Sequence, residues 1–407
     1  MKPIDYAKVY SALARHAAGI DAFEIIPIPE LSHPLAHTLE ALKQGLIPEQ
    51  YRWTEEKTRQ VYTYNKFQGW AQSIIVAAKY YFTDEEYPDT GGYIPIDTAA
   101  KAAAKTPAAP HSGHAKRPYG RIARFTWRNN YRFLVQSLRN MVSGIERDLD
   151  VSIRFKALSN YTSIPEKLLV AYSGLAVFGR NSVLLHENMG SRFVIGELLT
   201  DLFVDFTALA PGFPATPAAP DFAKCGDCTK CIDACPTGAL LGEGRIDVTR
   251  CYQYLSENLV FVPHAYRSAW GNRLYGCSTC VDVCPYNSEL APNGEKHHIG
   301  HVGTGEDLIN LLLYTEEQWG ERFKDNQIII RDRLAIIKNA MLCLGNYPSE
   351  EALDQLLSFL SHSSPTIRQY AAWALGKLGG MKSRKALERR LKEEEQASVR
   401  NEIERML

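Results

Sequence analysis

The sequence lacks any run of about 18 apolar residues, the length a membrane helix needs. Its first residues, Met1–Leu13, mix polar and apolar side chains and hold no apolar core of an export signal. A cytoplasmic chain with no membrane partner is therefore expected. Net charge is also missing: 46 Lys and Arg balance 46 Asp and Glu. No global field would draw such a chain to nucleic acid or lipid, although a local basic face could still form. Three cofactor signatures are absent as well. No Gly-x-Gly-x-x-Gly follows a predicted strand, which excludes the usual dinucleotide fingerprint. No Cys-x-x-Cys-His offers covalent haem attachment. No Asp-x-His-x-x-Gly offers a histidine to a corrinoid, although a corrinoid held with its lower ligand displaced needs none. What remains is a chain of 407 residues, 45% hydrophobic and 23% charged, long enough for two or three globular domains.

The chain is rich in cysteine at one place only. Of nine cysteines, eight lie between Cys225 and Cys284. Clustered cysteines in an enzyme-sized cytosolic chain point to metal rather than disulfides. The first group, Cys225-x2-Cys228-x2-Cys231-x3-Cys235-Pro236, matches the bacterial ferredoxin run, whose fourth cysteine serves the other cluster. The second group, Cys277-x2-Cys280-x3-Cys284-Pro285, lacks its first cysteine, and Cys251 stands upstream to replace it. The crossing rule then gives one [4Fe–4S] cluster Cys225, Cys228, Cys231 and Cys284. The other takes Cys251, Cys277, Cys280 and Cys235. Paired zinc knuckles are the alternative, but zinc prefers four ligands in each compact knuckle. Cys343, in an apolar helical stretch, reads as a core thiol. Two adjacent clusters relay single electrons, so the preceding residues should bind something redox-active.

Upstream, strands are predicted at Phe23–Ile28, Ser73–Phe82, Ile122–Trp127, Val151–Phe155, Leu168–Phe178 and Phe193–Leu199. Helical patterns cover much of residues 1–50 and Tyr131–Ile145. Low-complexity Thr98–Pro110 and the Pro/Ala-rich Ala210–Pro220 read as a loop and a linker. Downstream, Ala335–Gly345 (AIIKNAMLCLG) and Thr366–Gly376 (TIRQYAAWALG) repeat one pattern, and a third copy is suggested at Ser398-Val399-Arg400. Helix-period apolar residues ending in Gly suggest HEAT-like hairpins. So few units cannot bury a core alone and should stack on the preceding domain, as a docking surface or a stabilising cap.

Taken together, these segments resemble the epoxyqueuosine reductases, cobalamin-dependent enzymes of tRNA queuosine synthesis related to reductive dehalogenases. The matching stretches are Ser73-Ile-Ile-Val-Ala-Ala-Lys-Tyr-Tyr81, Ser173-Gly-Leu-Ala-Val-Phe-Gly-Arg-Asn-Ser182 and Gly190-Ser-Arg-Phe-Val-Ile-Gly-Glu-Leu-Leu-Thr-Asp201. The displaced Cys251, the segment Cys284-Pro-Tyr-Asn287 and the repeat Asn339-Ala-Met-Leu-Cys-Leu-Gly-Asn346 match as well. The resemblance implies an α/β protein. A cobalamin-binding mixed-sheet domain (1–210) is followed by a double-cubane ferredoxin-like module (211–300) and HEAT-like helical repeats (301–407). It implies electrons passing from a flavodoxin- or ferredoxin-type donor through two clusters to base-off cobalamin, and reduction of an epoxide on the tRNA base to an alkene. It assigns cofactor binding to Gly179, Arg180, Asn181, Ser182, Tyr254, Ser256 and Ser278. A monomer is expected.

The chain departs from the family at the proton donor. Where the family carries a catalytic Asp, this sequence has Asn160, in Ser159-Asn160-Tyr161-Thr162-Ser163-Ile164-Pro165-Glu166. A neutral amide donates a hydrogen bond but is no practical acid. Tyr161 is the neighbouring candidate, because dehalogenases use a Tyr for this step. Arg128-Asn129-Asn130-Tyr131-Arg132 is a second departure, and Arg180 replaces a usual Lys. A cobalamin reductase of another, small substrate and a pure electron-transfer protein are the competing readings. Lys116, Arg117, Arg121, Arg124, Arg128, Arg132, Arg139, Arg147, Arg154 and Lys156 outweigh Glu146, Asp148 and Asp150. This stretch could face a tRNA backbone or a cobalamin phosphate, or be a solvated face. His297, His298 and His301 read as a polar loop, and Lys392-Glu393-Glu394-Glu395 as a solvated helix face.

Overall fold

The computed structural model describes residues 2–48, 53–64, 67, 69–87, 118–160, 164–207 and 222–407. Its N-terminal sheet is built from β1 (Ala22–Pro27), β2 (Ser73–Tyr80), β3 (Phe155–Leu158) and β4 (Phe193–Thr200), in the order β1-β2-β4-β3 and antiparallel throughout. Every residue of β2 is buried. That follows from its central place: both faces are covered, so no polar alternation survives. On one face, Ile75, Ala77 and Leu198 pack against Val9 and Leu13 of α1 (Tyr6–Arg15) and Leu134 and Leu138 of α2 (Asn130–Leu149). On the other, Ile74, Val76 and Leu199 pack against Leu169 and Val170 of α3 (Glu166–Tyr172). Each such fully buried aliphatic side chain contributes about 1.5–3 kcal/mol of transfer free energy.

Three predicted strands differ from the structure. The first part of Leu168–Phe178 belongs to α3, which runs from Glu166 to Tyr172 and is followed by Gly174 at φ 79, and only Val177–Phe178 is strand. A short apolar run fits strand and buried helix equally, and here burial against one sheet face selects the helix. Val151–Phe155 lies before β3, which starts at Phe155. Ile122–Trp127 is the end of a strand, Tyr119–Ile122, and a 3-10 turn, Arg124–Thr126. The segments 98–110 and 210–220 lie outside the described residues, as do Lys116 and Arg117.

Tyr119–Ile122 pairs on one side with Arg273–Tyr275, in parallel, and on the other with Gly305–Asp307, antiparallel. The first region of the chain is thereby sewn into the cysteine-bearing one. That region carries α4 (Tyr252–Glu257) and α5 (His264–Trp270). The repeats follow as α6 (Arg333–Asn346), α7 (Pro365–Leu378) and α8 (Ala397–Met406), among other helices. Tyr252, Trp270 and Leu274 share one apolar core with Ile336, Met341, Tyr370 and Trp373. Polar ties cross it. Lys338 Nζ donates to Leu255 O at 2.6 Å and Asn258 O at 2.7 Å, and Asn339 Nδ2 to Ser256 O and Leu274 O at 2.8 Å. The repeats therefore stack on the cysteine region through a continuous core. Cys343 is fully buried within it. No helix among the described residues is long and apolar enough to cross a membrane.

Two polar expectations need correction. The 297–301 segment is not a uniformly solvated loop. His297 is buried, its ring stacks on Phe133 at 4.3 Å, and its Nε2 meets Asn130 Oδ1 at 3.1 Å. Burial pushes it down to about 4, so it packs as a neutral ring. Glu394 is not on a solvated face either. Glu393 and Glu395 are exposed, but Glu394 is buried and accepts from both Arg368 and Arg390. Hydrogen bonds from Arg368 above all hold its carboxyl down at about 2. A carboxyl lowered on folding stabilises above its unfolded value, near 4.5, and loses that stabilisation as pH falls towards 2. Thermal unfolding followed from pH 6 to pH 2.5 should show this loss, and Glu394→Gln should flatten it.

Candidate functional site

The eight clustered cysteines are brought together from three separate loops. Cys225, Cys228, Cys231 and Cys284 line one cavity of about 320 Å³. Tyr286 Oη donates to Lys224 O at 2.7 Å, which ties the Cys284-Pro-Tyr-Asn287 turn to the first loop. Cys251 caps α4, and that helix holds the third loop. Cys277 N donates to Gln253 Oε1 at 3.0 Å, and Gly276 N to Ser256 Oγ at 3.0 Å. The long separation of Cys251 from Cys277 is thus closed by one turn of helix. The short helices Lys230–Asp233 and Thr279–Asp282 pack together, so the two cysteine sets are neighbours.

Thiol electrostatics follow the same partition. Burial, then Cys277 and more weakly Cys235, push the Cys251 thiol up to about 11. Burial, then Cys225 and more weakly Cys284, push Cys231 up to about 11. Thiols packed this closely resist ionising until a cation joins them, and metal binding then takes them as thiolates. Among the described residues, no three His, Cys, Asp or Glu side chains converge tightly enough for a single ion. Four thiols spread around a cavity suit a cubane better than the tight tetrahedron of zinc.

The sets differ in depth. The cavity of the first set opens at the surface between Arg180, Lys224 and Lys230. The second set faces inward. Cys280, Asp282, Tyr81 and Tyr131 are surrounded by protein, yet each keeps accessible surface. Asp282, Tyr131 and Cys280 each act on Tyr81, so the four side chains are neighbours. Burial raises the Asp282 carboxyl, with Ser278 opposing through a 2.6 Å hydrogen bond. Arg192, Arg121 and Arg124 also act to lower the Asp282 carboxyl.

The residues assigned to cofactor binding surround the cysteines. Gly179, Arg180 and Asn181 line the first cavity. Arg180 donates to Gly226 O at 2.8 and 3.2 Å, and Asn181 Nδ2 to Cys280 O at 3.2 Å. One loop of the N-terminal region therefore touches both cysteine sets. Ser182 sits at φ 63, and its carbonyl accepts from Lys167 Nζ at 3.1 Å. Tyr254 and Ser256 are buried beneath the second set, and Ser278 is held by Asp282. Gly190-Ser191 and Asn287 also meet: Ser191 N donates to Asn287 Oδ1 at 2.9 Å.

Asn160 lies two residues beyond the end of β3, exposed and at φ 54. Tyr161 lies outside the described residues. The basic stretch is not one outward face. Arg128 is buried against Glu85 and donates to His297 O at 2.8 Å, Arg124 donates to Glu85 O at 2.7 Å, and Arg132 pairs with Asp325. Sequence reasoning missed Tyr81, Asp282 and a buried carboxyl, Glu197 on β4. The last had a signal: a lone acid inside the apolar run of Phe193–Thr200.

Residues 224–287 match the family model of a 4Fe-4S double cluster binding domain, and residues 332–407 match HEAT repeats. The epoxyqueuosine reductase of Listeria monocytogenes is 32% identical over 295 residues, covering 70% of this chain and 73% of that protein. A crystal structure of an epoxyqueuosine reductase with an epoxyqueuosine-modified tRNA-Tyr stem loop superposes with a TM-score of 0.79, at 24% identity, over 98% of both chains. The Bacillus subtilis enzyme, with its catalytic Asp loop swung out of the active site, superposes at 0.76, also at 24% identity and over 98% of both chains.

Proposed function

The chain belongs to the epoxyqueuosine reductase family of oxidoreductases, and we propose that it reduces the epoxide of a tRNA-borne queuosine precursor to the alkene, using base-off cobalamin and two [4Fe–4S] clusters. The observation that carries this reading is the partition of the cysteines. Cys225, Cys228, Cys231 and Cys284 ring a surface-opening cavity, and Cys280 of the other set lies deeper, beside Tyr81. Such an arrangement suits single-electron entry at the surface and delivery inside. Arg180, Lys224 and Lys230 would receive an acidic flavodoxin- or ferredoxin-type donor by charge complementarity.

The side chains around Asp282 have the chemistry to hold a large cofactor. Tyr81 and Tyr131 give flat, half-apolar walls, and Arg121, Arg124 and Arg192 stand beside Asp282, suited to amide and phosphate groups. Cobalamin held there would supply a strongly reducing cobalt centre. The protein's own work is to exclude water, fix the substrate and hold the proton that the leaving oxygen needs. The modified base of the tRNA would enter beside Asn160.

The test is single-turnover reduction of an epoxyqueuosine stem loop by anaerobically reconstituted protein. Loaded protein should bind cobalamin with a base-off spectrum and form the alkene. A second reading, a related cobalamin reductase with a small-molecule substrate, is favoured by Asn160 alone. Fully loaded protein that leaves the stem loop untouched would establish that reading over ours.

A further inference from the structure

The two cysteine loops are built on one plan. Cys228-x2-Cys231-x3-Cys235-Pro236 and Cys277-x2-Cys280-x3-Cys284-Pro285 share their spacing. Each contains a short helix, Lys230–Asp233 or Thr279–Asp282, and the residue before it turns its hydroxyl to the helix's last aspartate. Thr229 Oγ1 donates to Asp233 Oδ2 at 2.7 Å, and Ser278 Oγ to Asp282 Oδ2 at 2.6 Å. Loops so alike differ at two equivalent places. Where the first has Lys230, the second has Thr279. Two residues past the closing cysteine, the first has Thr237 and the second Tyr286. Because Cys235 and Cys284 cross between the sets, both threonines fall beside sulfurs of the second set.

Both threonines are buried, and both hydroxyls reach a sulfur. Thr279 Oγ1 lies 3.4 Å from Cys277 Sγ, and Thr237 Oγ1 lies 3.7 Å from Cys235 Sγ. The direction of the first bond is fixed. Arg273 Nη2 donates to Thr279 Oγ1 at 3.2 Å, and a guanidinium has no acceptor, so the hydroxyl's own proton is left for the sulfur. Arg250 holds Thr237 in place through its carbonyl. A thiolate bound to iron carries no S–H, so each hydroxyl is the donor once a cluster is held. Among the described residues, no hydroxyl reaches a sulfur of the first set. Tyr286 Oη donates to Lys224 O instead, and Lys230 is exposed at the cavity mouth, where solvent screens its charge. Backbone amides serve both sets: those of Ile232 and Tyr286 at Cys231 and Cys284, and those of Gln253 and Tyr254 at Cys251.

We propose that the Thr279 and Thr237 hydroxyls set the direction of electron flow, by making the second cluster easier to reduce than the first. The inference rests on the two-cluster reading of the cysteines. A cluster held by four thiolates is an anion, and reduction adds one more negative charge. Burial alone makes the inner set the harder one to reduce. Hydrogen bonds to ligand sulfur stabilise the added charge and raise the potential. Two hydroxyls, one of them backed by the Arg273 guanidinium, offset the burial and let the inner cluster keep the electron. The step is the passage of one electron from the first cluster to the second. No bond breaks and no proton moves, and the external one-electron carrier replaces the electron that left.

The test is a potentiometric titration of anaerobically reconstituted protein, followed by electron paramagnetic resonance, for wild type, Thr279→Val, Thr279→Ser and Thr237→Val. Cys251→Ser, left with the first cluster, tells which potential is which. In wild type the inner cluster should have the higher potential. Thr279→Val keeps the shape of the side chain and removes the hydroxyl. It should shift the one-electron equilibrium about tenfold towards the first cluster, a fall of about 59 mV in the second potential. Thr237→Val should act in the same direction by less, since its contact with sulfur is longer. Thr279→Ser should keep the wild-type value, which a merely steric role for the threonine would not predict, and the first potential should stay put throughout. Resonance Raman bands of the iron–sulfur stretches should shift in heavy water, and Thr279→Val should lose part of that shift. A second potential unmoved in both valine variants at full iron content overturns the proposal, as does a wild type whose inner cluster has the lower potential. If the valine variants fail to hold iron, the wild-type order of the two potentials still decides. Zinc in place of iron, or about four irons per chain instead of about eight, sinks the cluster reading instead.

Discussion

Cys251→Ser is expected to take the iron content from about eight to about four per chain, as one of two [4Fe–4S] clusters is lost, and to stop substrate reduction. Cys251 stands upstream of a second group that lacks a cysteine in its own run, and we propose it as the missing ligand. Its thiol sits among Cys277, Cys235 and Cys280, each of which acts on it or is acted on by it. Serine keeps the shape of the α4 cap but is a far harder ligand than thiolate. Three remaining cysteines would leave one corner of the cluster open to solvent and oxygen. The first cluster should survive, since Cys225, Cys228, Cys231 and Cys284 line their own cavity. Reduced protein should therefore keep one paramagnetic signal but lose the broadening that two neighbouring spins give each other. Electrons would then enter and go no further, so turnover should fall by at least ~10³-fold, as much as loss of an acid–base group can cause. Cys343→Ala is the control. That thiol is sealed in the core, and its loss should leave iron and activity intact while costing some packing. Full iron content in Cys251→Ser would refute the assignment of this ligand.

The double-cluster module was legible because ferredoxin spacing is local: x2 and x3 gaps bind one cubane with little help from the fold. The place of Cys251 was legible only by resemblance and by elimination, and the structure supplies its physical reason in Gln253 and Ser256. The repeats were legible as well, since helix-period apolar residues recur with a closing glycine. Gly345 shows why: a side chain there would collide with the Trp373 ring of the next repeat helix. The upstream elements were harder. Leu168–Phe178 is apolar in a way that suits either a strand or a buried helix, and only Pro165, Glu166 and Gly174 marked helix ends. The placing of Glu197 opposite Leu158 was invisible, since sheet register sets it and no periodicity in a single segment encodes register. Glu394 misled for a related reason. A run of charges reads as solvated until two arginines from elsewhere in the fold close on its middle member.

The same non-local logic makes Glu402→Ala the most damaging change expected outside the cysteines. Glu402 lies on α8, near the end of the chain, and its side chain is 1% exposed. It accepts from Arg267 Nη1 at 2.9 Å and Nη2 at 3.2 Å, while Arg267 Nε donates to Val262 O at 3.0 Å. His264 Nε2 and Gln369 Nε2 also reach it, at 3.1 and 3.3 Å. Removing the carboxylate strands a guanidinium that is itself 1% exposed. Breaking a buried pair from one side typically costs about 3–5 kcal/mol, because the remaining charge has no compensation. The cost should reach the clusters. Arg267 lies on α5, which leads into Arg273–Tyr275 and then Cys277, and Asn346 of α6 holds the carbonyls of Arg267 and Gly271 at 2.7 and 3.1 Å. Denaturant unfolding of Glu402→Ala should start earlier, and a chelator should strip its iron faster, while the oxidised spectrum at rest stays that of two clusters. The double variant Arg267→Met with Glu402→Leu should be less damaged than either single loss, since it removes both charges and keeps apolar volume. If stem-loop binding persists in Glu402→Ala while the iron becomes labile, the repeats serve here as the clamp on the second cluster. Unchanged iron release with weakened tRNA binding would make them a docking surface instead.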